Sequence, residues 1–185
     1  MERCHAGLAL AEFYTGLRRR GEAKQIYDKL LRESSSPECK KWAAIYRKGF
    51  IDFAPGNKAP KFQAVTSDGQ IFDISRSRRK ALVLFFWASW CGACKEDYLD
   101  LKYLQENFDH KLEIVGISGD NERASSESAI RTHALNWPNI FDGNDFDGPI
   151  NKLYSIHGYP TIVVIDQKRR VISNRIRHKL LKQLI

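Results

Sequence analysis

No stretch of this chain stays apolar over the roughly 18 residues that a membrane-spanning helix requires. It does not open on a Lys-then-apolar leader with a small-residue cleavage site either, so the chain as given is expected to be soluble. Cysteine is scarce, with four in 185 residues, and two of these, Cys4 and Cys39, stand isolated. The histidines (His5, His110, His133, His157 and His178) are scattered singly. A structural zinc site needs four ligands at short recurring spacings, so no metal is expected. Negative charge is the minority sign: 22 Asp and Glu face 30 Lys and Arg, a formal net charge of +8. The basic residues cluster at Arg18-Arg19-Arg20, 75–80, Lys168-Arg169-Arg170 and 175–179. They fit either an anionic partner or membrane surface, or simply a solvated face. No recognisable nucleic-acid module accompanies them and aromatic residues are not interleaved, so nucleic-acid binding is not expected.

The apolar fraction of 43% suffices for a globular core, and the length suits one domain with a smaller appendage. The most informative segment is Trp90-Cys91-Gly92-Ala93-Cys94. It follows the apolar, strand-like run Ala81 to Trp87 and precedes a segment of helical composition, Lys95 to Phe108. Two cysteines with two residues between them, on the first turn of a helix, bring their sulfurs within reach of one short disulfide. Free N–H groups and the macrodipole at that helix start favour a thiolate at Cys91, the expected nucleophile. Cys94, one turn further in, is the expected resolving thiol. Gly92 and Ala93 are small enough to leave the attacking sulfur accessible, and with Trp90 they are the candidate substrate contacts around it. Far downstream, Gly158-Tyr159-Pro160-Thr161 leads into the apolar run Ile162 to Ile165. Proline is tolerated at a strand's first position, and the Tyr159–Pro160 bond fits either an ordinary trans loop or a cis turn.

The run Phe86-Trp87-Ala88-Ser89-Trp90-Cys91-Gly92-Ala93-Cys94-Lys95, the strand Leu112 to Ile117, and Tyr154-Ser155-Ile156-His157-Gly158-Tyr159-Pro160-Thr161 occur in this order. Together they resemble the thioredoxin superfamily, and within it the TlpA/ResA-type thiol–disulfide oxidoreductases, over about residues 55 to 185. The resemblance implies an α/β thioredoxin-like fold: a central mixed sheet flanked by helices, with an N-terminal β-hairpin and a helix-strand insertion. It also implies that Pro160 is cis and faces the sulfurs, and that Tyr159 and Pro160 form an edge where an extended substrate strand docks. The implied activity is reduction or isomerisation of protein disulfides. No cofactor is implied beyond a redox-active Cys91–Cys94 disulfide, and the implied partners are disulfide-containing client proteins and a thiol electron donor. The implied location is the periplasm or cell envelope, with an export signal removed or upstream. Two departures stand out. Phe85 occupies the position of thioredoxin's buried aspartate, so another acid must assist Cys94; ResA-like members place a glutamate where this chain has Asp97, with Glu96 beside it. Asp97 fits proton management, and equally a carboxylate that merely suits a helix start. Ala93 replaces the thioredoxin proline, which leaves the reduction potential open.

The coarse reading of the remainder places a linker at 52–60 and a hairpin over Phe62 to Ile74 with its turn at Asp68-Gly69. Next come a helix over Asn121 to Leu135, a strand-like Trp137 to Phe141, a short helix at Ile150 to Tyr154, an edge strand at Val171 to Ser173 and a final helix at 178–185, whose uncapped end suggests truncation. Residues 1–53 differ: a small all-helical segment with breaks near Arg20-Gly21 and Ser34 to Pro37 and a third helix over Glu38 to Ile51, set before the thioredoxin-like domain at 54–185. Leu10, Ala11, Tyr14, Ala23, Tyr27 and Leu30 match a tetratricopeptide helix pair as well as they match a plain amphipathic hairpin. A protein partner for this segment is one expectation. Three functions therefore compete: dithiol–disulfide exchange, peroxide reduction, and a partner-binding module with a secondary redox site. The peroxidatic Pro-x-x-x-Thr-x-x-Cys pattern is absent, since Leu84 and Ala88 stand seven and three residues before Cys91.

Overall fold

A computed structural model describes residues 2–17 and 19–174. The expected helix at 178–185, the basic stretch 175–179 and Arg18 lie outside the described residues. The chain divides into two units, Met1–Ala54 and Pro55–Ile185.

The first unit holds α1 (Glu2–Gly16), α2 (Arg20–Glu33) and α3 (Pro37–Arg47), followed by a wide π-helical turn, Lys48–Asp52. Helix α2 stops where Ser34 turns extended. Helix α3 starts at once: Ser36 accepts the Cys39 N–H on its hydroxyl at 3.2 Å, and Pro37 supplies a first-turn φ without wasting a donor. Leu8, Ala11, Ala23, Tyr27 and Ala43 form the core, with Tyr14, Ile26, Leu30 and Tyr46 packed around it. Arg47 ties α3 to α2 through Asp28 at 2.6 Å and also reaches Asp52 at 2.9 Å. One expectation is corrected here. Cys4 and Cys39 are not isolated: a disulfide joins them across 35 residues, fastening the first turn of α1 to the first turn of α3. Their separation carries no motif, and only the folding back of three helices brings the sulfurs together.

The second unit opens with the hairpin β1 (Gln63–Val65) and β2 (Ile71–Asp73), paired antiparallel with Val65 opposite Ile71. Its turn requires the left-handed backbone that Gly69 supplies at φ +83°. The main sheet runs β5-β4-β3-β6-β7, where β3 is Ala81–Trp87, β4 Leu112–Ser118, β5 Asn139–Phe141, β6 Thr161–Asp166 and β7 Val171–Asn174. β3, β4 and β5 are parallel, and β6 and β7 are antiparallel to their neighbours. Every residue of β3 is buried, as a central strand covered on both faces requires. Alternate side chains sort to the two faces. Val83, Phe85 and Trp87 pack under Tyr98, Leu101 and Leu104 of α4 (Gly92–Phe108) and near Ala129 of α5 (Arg123–Thr132). On the other face Phe86 meets Tyr154, which follows α6 (Pro149–Leu153) and stacks edge-on with Phe62. The mixed sheet, helices and leading hairpin are the expected thioredoxin-like architecture, preceded by helices.

Candidate active site

The site forms where the carboxyl ends of β3 and β4 lie side by side, because β3 runs straight into the cysteine pair. Cys91 caps α4, and its Sγ accepts the backbone N–H of Cys94 at 3.1 Å. The two cysteines form a disulfide with Cα atoms 5.3 Å apart. Cys94 is fully buried while Cys91 is 5% exposed, so Cys91 is the outer sulfur. Gly92 and Ala93 are exposed, and a Cβ added at Gly92 would meet nothing within 4 Å. The backbone next to the outer cysteine therefore borders open space. Trp90 stands 61% exposed beside it.

The opposite wall is the loop before β6, where the Tyr159–Pro160 peptide is cis. The Tyr159 ring lies 5.8 Å from Trp90 and 4.8 Å from Phe146, which belongs to a 3-10 turn, Asp145–Asp147, in the insertion. Three aromatic rings thus line one rim. Tyr159 donates its O–H to Asn151 at 3.2 Å and rests on Gly119, where a Cβ would lie only 1.8 Å from the phenol oxygen. Only glycine permits that approach. Burial first, then the carboxylates of Asp145, Asp142 and Asp120, push the Tyr159 phenol well above its usual range. Asp145 is also pushed up, by burial and then by Asp147 and Asp120.

Beneath the disulfide, the two candidate acids of α4 part company. Asp97 is 2% exposed, one helical turn beyond Cys94 and on the same face, whereas Glu96 faces solvent. Next to Asp97, Tyr98 is stacked edge-on against Phe85 and Trp87 and lies 5.1 Å from the His133 ring. Its phenol is pushed up by burial first, and then by Asp120 and Asp97. Phe85 is fully buried, so the position of thioredoxin's aspartate is apolar here. Among the described residues no three His, Cys, Asp or Glu side chains gather into a metal cluster.

Three residues of the site went unread in the sequence: Phe146, Gly119 and Asp120. Asp120 follows β4 and accepts the Ser89 N–H at 3.0 Å on each oxygen, the Ser89 hydroxyl at 2.6 Å and the Ser118 hydroxyl at 2.7 Å. The available signal was topological, because residues just beyond the carboxyl ends of adjacent parallel strands line functional crevices. What the arrangement offers chemically is an outer sulfur at a helix start, an inner sulfur near a buried carboxyl group, and an aromatic rim with an open edge.

Comparison with known proteins agrees with this geometry. The AhpC/TSA family matches residues 55–174. The chain is 28% identical over 127 residues to the thioredoxin-like protein YneN of Bacillus subtilis, covering 66% of this chain and 72% of that protein. It is 25% identical over 119 residues to the thiol-disulfide oxidoreductase ResA of Bacillus thuringiensis, covering 64% of this chain and 67% of the relative. A thiol-disulfide oxidoreductase structure from Bacteroides fragilis superposes with a TM-score of 0.63 at 28% identity, over 70% of this chain and all of that one.

Proposed function

The chain belongs to the AhpC/TSA family as a thioredoxin-like thiol–disulfide oxidoreductase, and from that premise we propose that its Cys91–Cys94 pair reduces or isomerises disulfides of client proteins. The observation that carries this reading is the placement of Cys91 as the outer sulfur and helix cap, with the Cys94 N–H directed at it. In the reduced protein the Cys91 thiolate attacks one sulfur of a client disulfide. A Cys91–client bond forms, the client bond breaks, and the leaving thiolate takes up a proton. Cys94 then loses its proton and attacks Cys91, which releases the client's second thiol and leaves the Cys91–Cys94 disulfide. Two electrons have passed to the client, and a thiol donor must return them. In isomerisation another thiol of the client attacks the client sulfur of the mixed disulfide instead: a new client disulfide forms, the Cys91–client bond breaks, and Cys91 leaves as the thiolate with no net transfer of electrons.

Asp97, buried one turn beyond Cys94, takes the Cys94 proton; the exposed Glu96 does not share this role. Trp90, Gly92, Ala93, Tyr159 and Pro160 receive the client, whose extended strand pairs along the loop before β6. Peroxide reduction is the weaker reading although it belongs to the same family name, since Leu84 and Ala88 hold the positions of its proline and threonine and lie in the core. The site of action in this reading is extracytoplasmic, in the periplasm or cell envelope. The Cys4–Cys39 bond supports it, because structural disulfides persist in oxidising compartments. The helical unit, with Leu10 and Phe13 exposed along α1, is the surface for a protein partner.

The test is turnover of a protein disulfide in the presence of dithiothreitol. The unaltered chain is expected to accelerate reduction and Cys91→Ser to abolish the acceleration. Equal rates for the two would refute the assignment.

A further inference from the structure

Exchange through Cys91 and Cys94 leaves one buried carboxylate without a task. Asp120 is 1% exposed, and its two oxygens are met by donors alone: the Ser89 N–H, the Ser89 hydroxyl and the Ser118 hydroxyl. An acceptor-only role is that of a carboxylate anion. Among the described residues no Lys, Arg or His forms an ion pair with it. Ser89 is two residues before Cys91, within the short link from β3 to α4, where the Cys91 N–H donates back to the Ala88 carbonyl at 3.1 Å. The carboxylate therefore grips the turn that presents the nucleophile. The titratable groups on which its charge acts are Tyr98 from α4, Tyr159 from the loop before β6 and Asp145 from the insertion; on the α5 side His133 lines a cavity with Ser89 and lies 5.1 Å from the Tyr98 ring, and Arg123 is turned over the Phe141 ring. Its negative charge contributes to the upward push on both phenols and on Asp145.

We propose that Asp120 is a positioning residue of the redox turn whose buried negative charge, in no ion pair with a cation among the described residues, disfavours the Cys91 thiolate and so biases the couple toward its disulfide form. The proposal rests on the exchange function assigned to Cys91 and Cys94. Reduction adds two electrons and two protons to the disulfide, or one proton fewer where Cys91 remains ionised. A nearby anion raises the free energy of that ionised form. The α4 start and the Cys94 N–H pull the other way, toward the thiolate. Asp120 thus opposes the helix, keeping the protein a better electron donor than the helix start alone would make it.

The experiment measures two quantities on the full chain: the Cys91 pKa, from pH-dependent alkylation of the reduced protein, and the potential of the pair, by glutathione equilibration. Both are read by mass on the peptide carrying Cys91 and Cys94, so the Cys4–Cys39 bond does not contribute. Asp120→Asn keeps the volume and removes the charge. Its Cys91 pKa is expected to fall by about one unit, with the potential rising by ~30 mV per tenfold change. Ser89→Ala and Ser118→Ala each strip one donor from the anion while keeping its charge, and they are expected to move the potential downward. An unchanged pKa and potential in Asp120→Asn, or a shift in the same direction as the serine variants, would overturn the proposal. Should Asp120→Asn fail to fold by circular dichroism, the serine variants decide: a downward shift supports the charge role, and no shift or a rise overturns it. A normal reversible couple in the unaltered protein with no effect of these variants sinks the Asp120 role alone, whereas absence of any reversible couple sinks the exchange function and this role together.

Discussion

Removing the Cys4–Cys39 bond is expected to unfold the helical unit while leaving the redox domain intact. The variant is Cys4→Ser with Cys39→Ala; the alanine suits a position that is only 2% exposed and avoids burying a hydroxyl. The bond closes a loop of 35 residues, and the loss of loop-closure entropy in the unfolded chain then corresponds to about 3.8 kcal/mol at 25 °C. Three of the five core residues of this unit are alanines, which bury little apolar area. Units of this size draw no more than about 3–5 kcal/mol from a single core, so the cross-link is comparable to everything else that holds the three helices. Hydrogen exchange read by mass on peptides from 2–53 is the suitable assay, because it separates this unit from the rest of the chain. At about 1.4 kcal/mol per tenfold, the protection of α1–α3 amides is expected to fall ~500-fold, or to the limit at which the unit is open outright. Amides of β3 and β4 should keep their protection. A loss of protection below about fivefold in α1–α3, equivalent to roughly 1 kcal/mol, would refute the reasoning.

Asp97→Asn is expected to slow release of the mixed disulfide by about 10²-fold or more, and to make that step more steeply dependent on pH, because Cys94 then loses its proton to solvent; Glu96→Gln, at an exposed position, should leave both unchanged in stopped-flow exchange. Phe146→Ala removes one ring of the aromatic rim, and at about 0.5–1.5 kcal/mol per ring contact it should raise KM for a disulfide-bonded peptide roughly 2- to 10-fold; a small disulfide without neighbouring side chains should show no such change. Acid should destabilise the helical unit. Hydrogen bonds from Lys24 first, and then Arg47, hold the Asp28 carboxyl below its ordinary value. Its contribution is therefore present above the unfolded carboxyl pKa of about 4 and is lost as pH falls through the lower folded value. The carboxylate and its partners are part-exposed, so the expected loss is only ~0.2–1 kcal/mol, and urea titrations at pH 6 and pH 2.5 should find it absent in Asp28→Asn.

What the sequence disclosed follows the range of the interactions involved. The continuous apolar run Ala81–Trp87 read as a central strand because burial on both faces leaves no place for a polar residue. The hairpin read from Asp68-Gly69 because its turn demands a positive φ. Local capping altered the boundaries. The helix expected from Lys95 begins at Gly92, since Cys91 itself caps it, and α5 ends at Thr132, shortly before Ala134 takes φ +45°. The expected third helix to Ile51 gives way at Arg47 to a π-helical turn. Pairings set by tertiary structure stayed hidden. Nothing near Cys4 announces Cys39, and a lone aspartate after a strand gives no sign that it grips a serine 31 residues earlier. Glu96 and Asp97 were adjacent letters of equal chemistry, and only the helix's orientation on the sheet buried one and exposed the other.

The most direct test of the account is to trap the exchange intermediate. Cys94→Ser leaves Cys91 as nucleophile and removes the resolving thiol, so the reduced variant mixed with a disulfide-bonded peptide should accumulate a covalent adduct, one peptide strand attached through Cys91 and released by dithiothreitol. Mass spectrometry locates the attachment. An adduct at Cys91 is the predicted result; no adduct, or one formed at Cys4 or Cys39 alone, would contradict the assignment of Cys91 as the attacking sulfur.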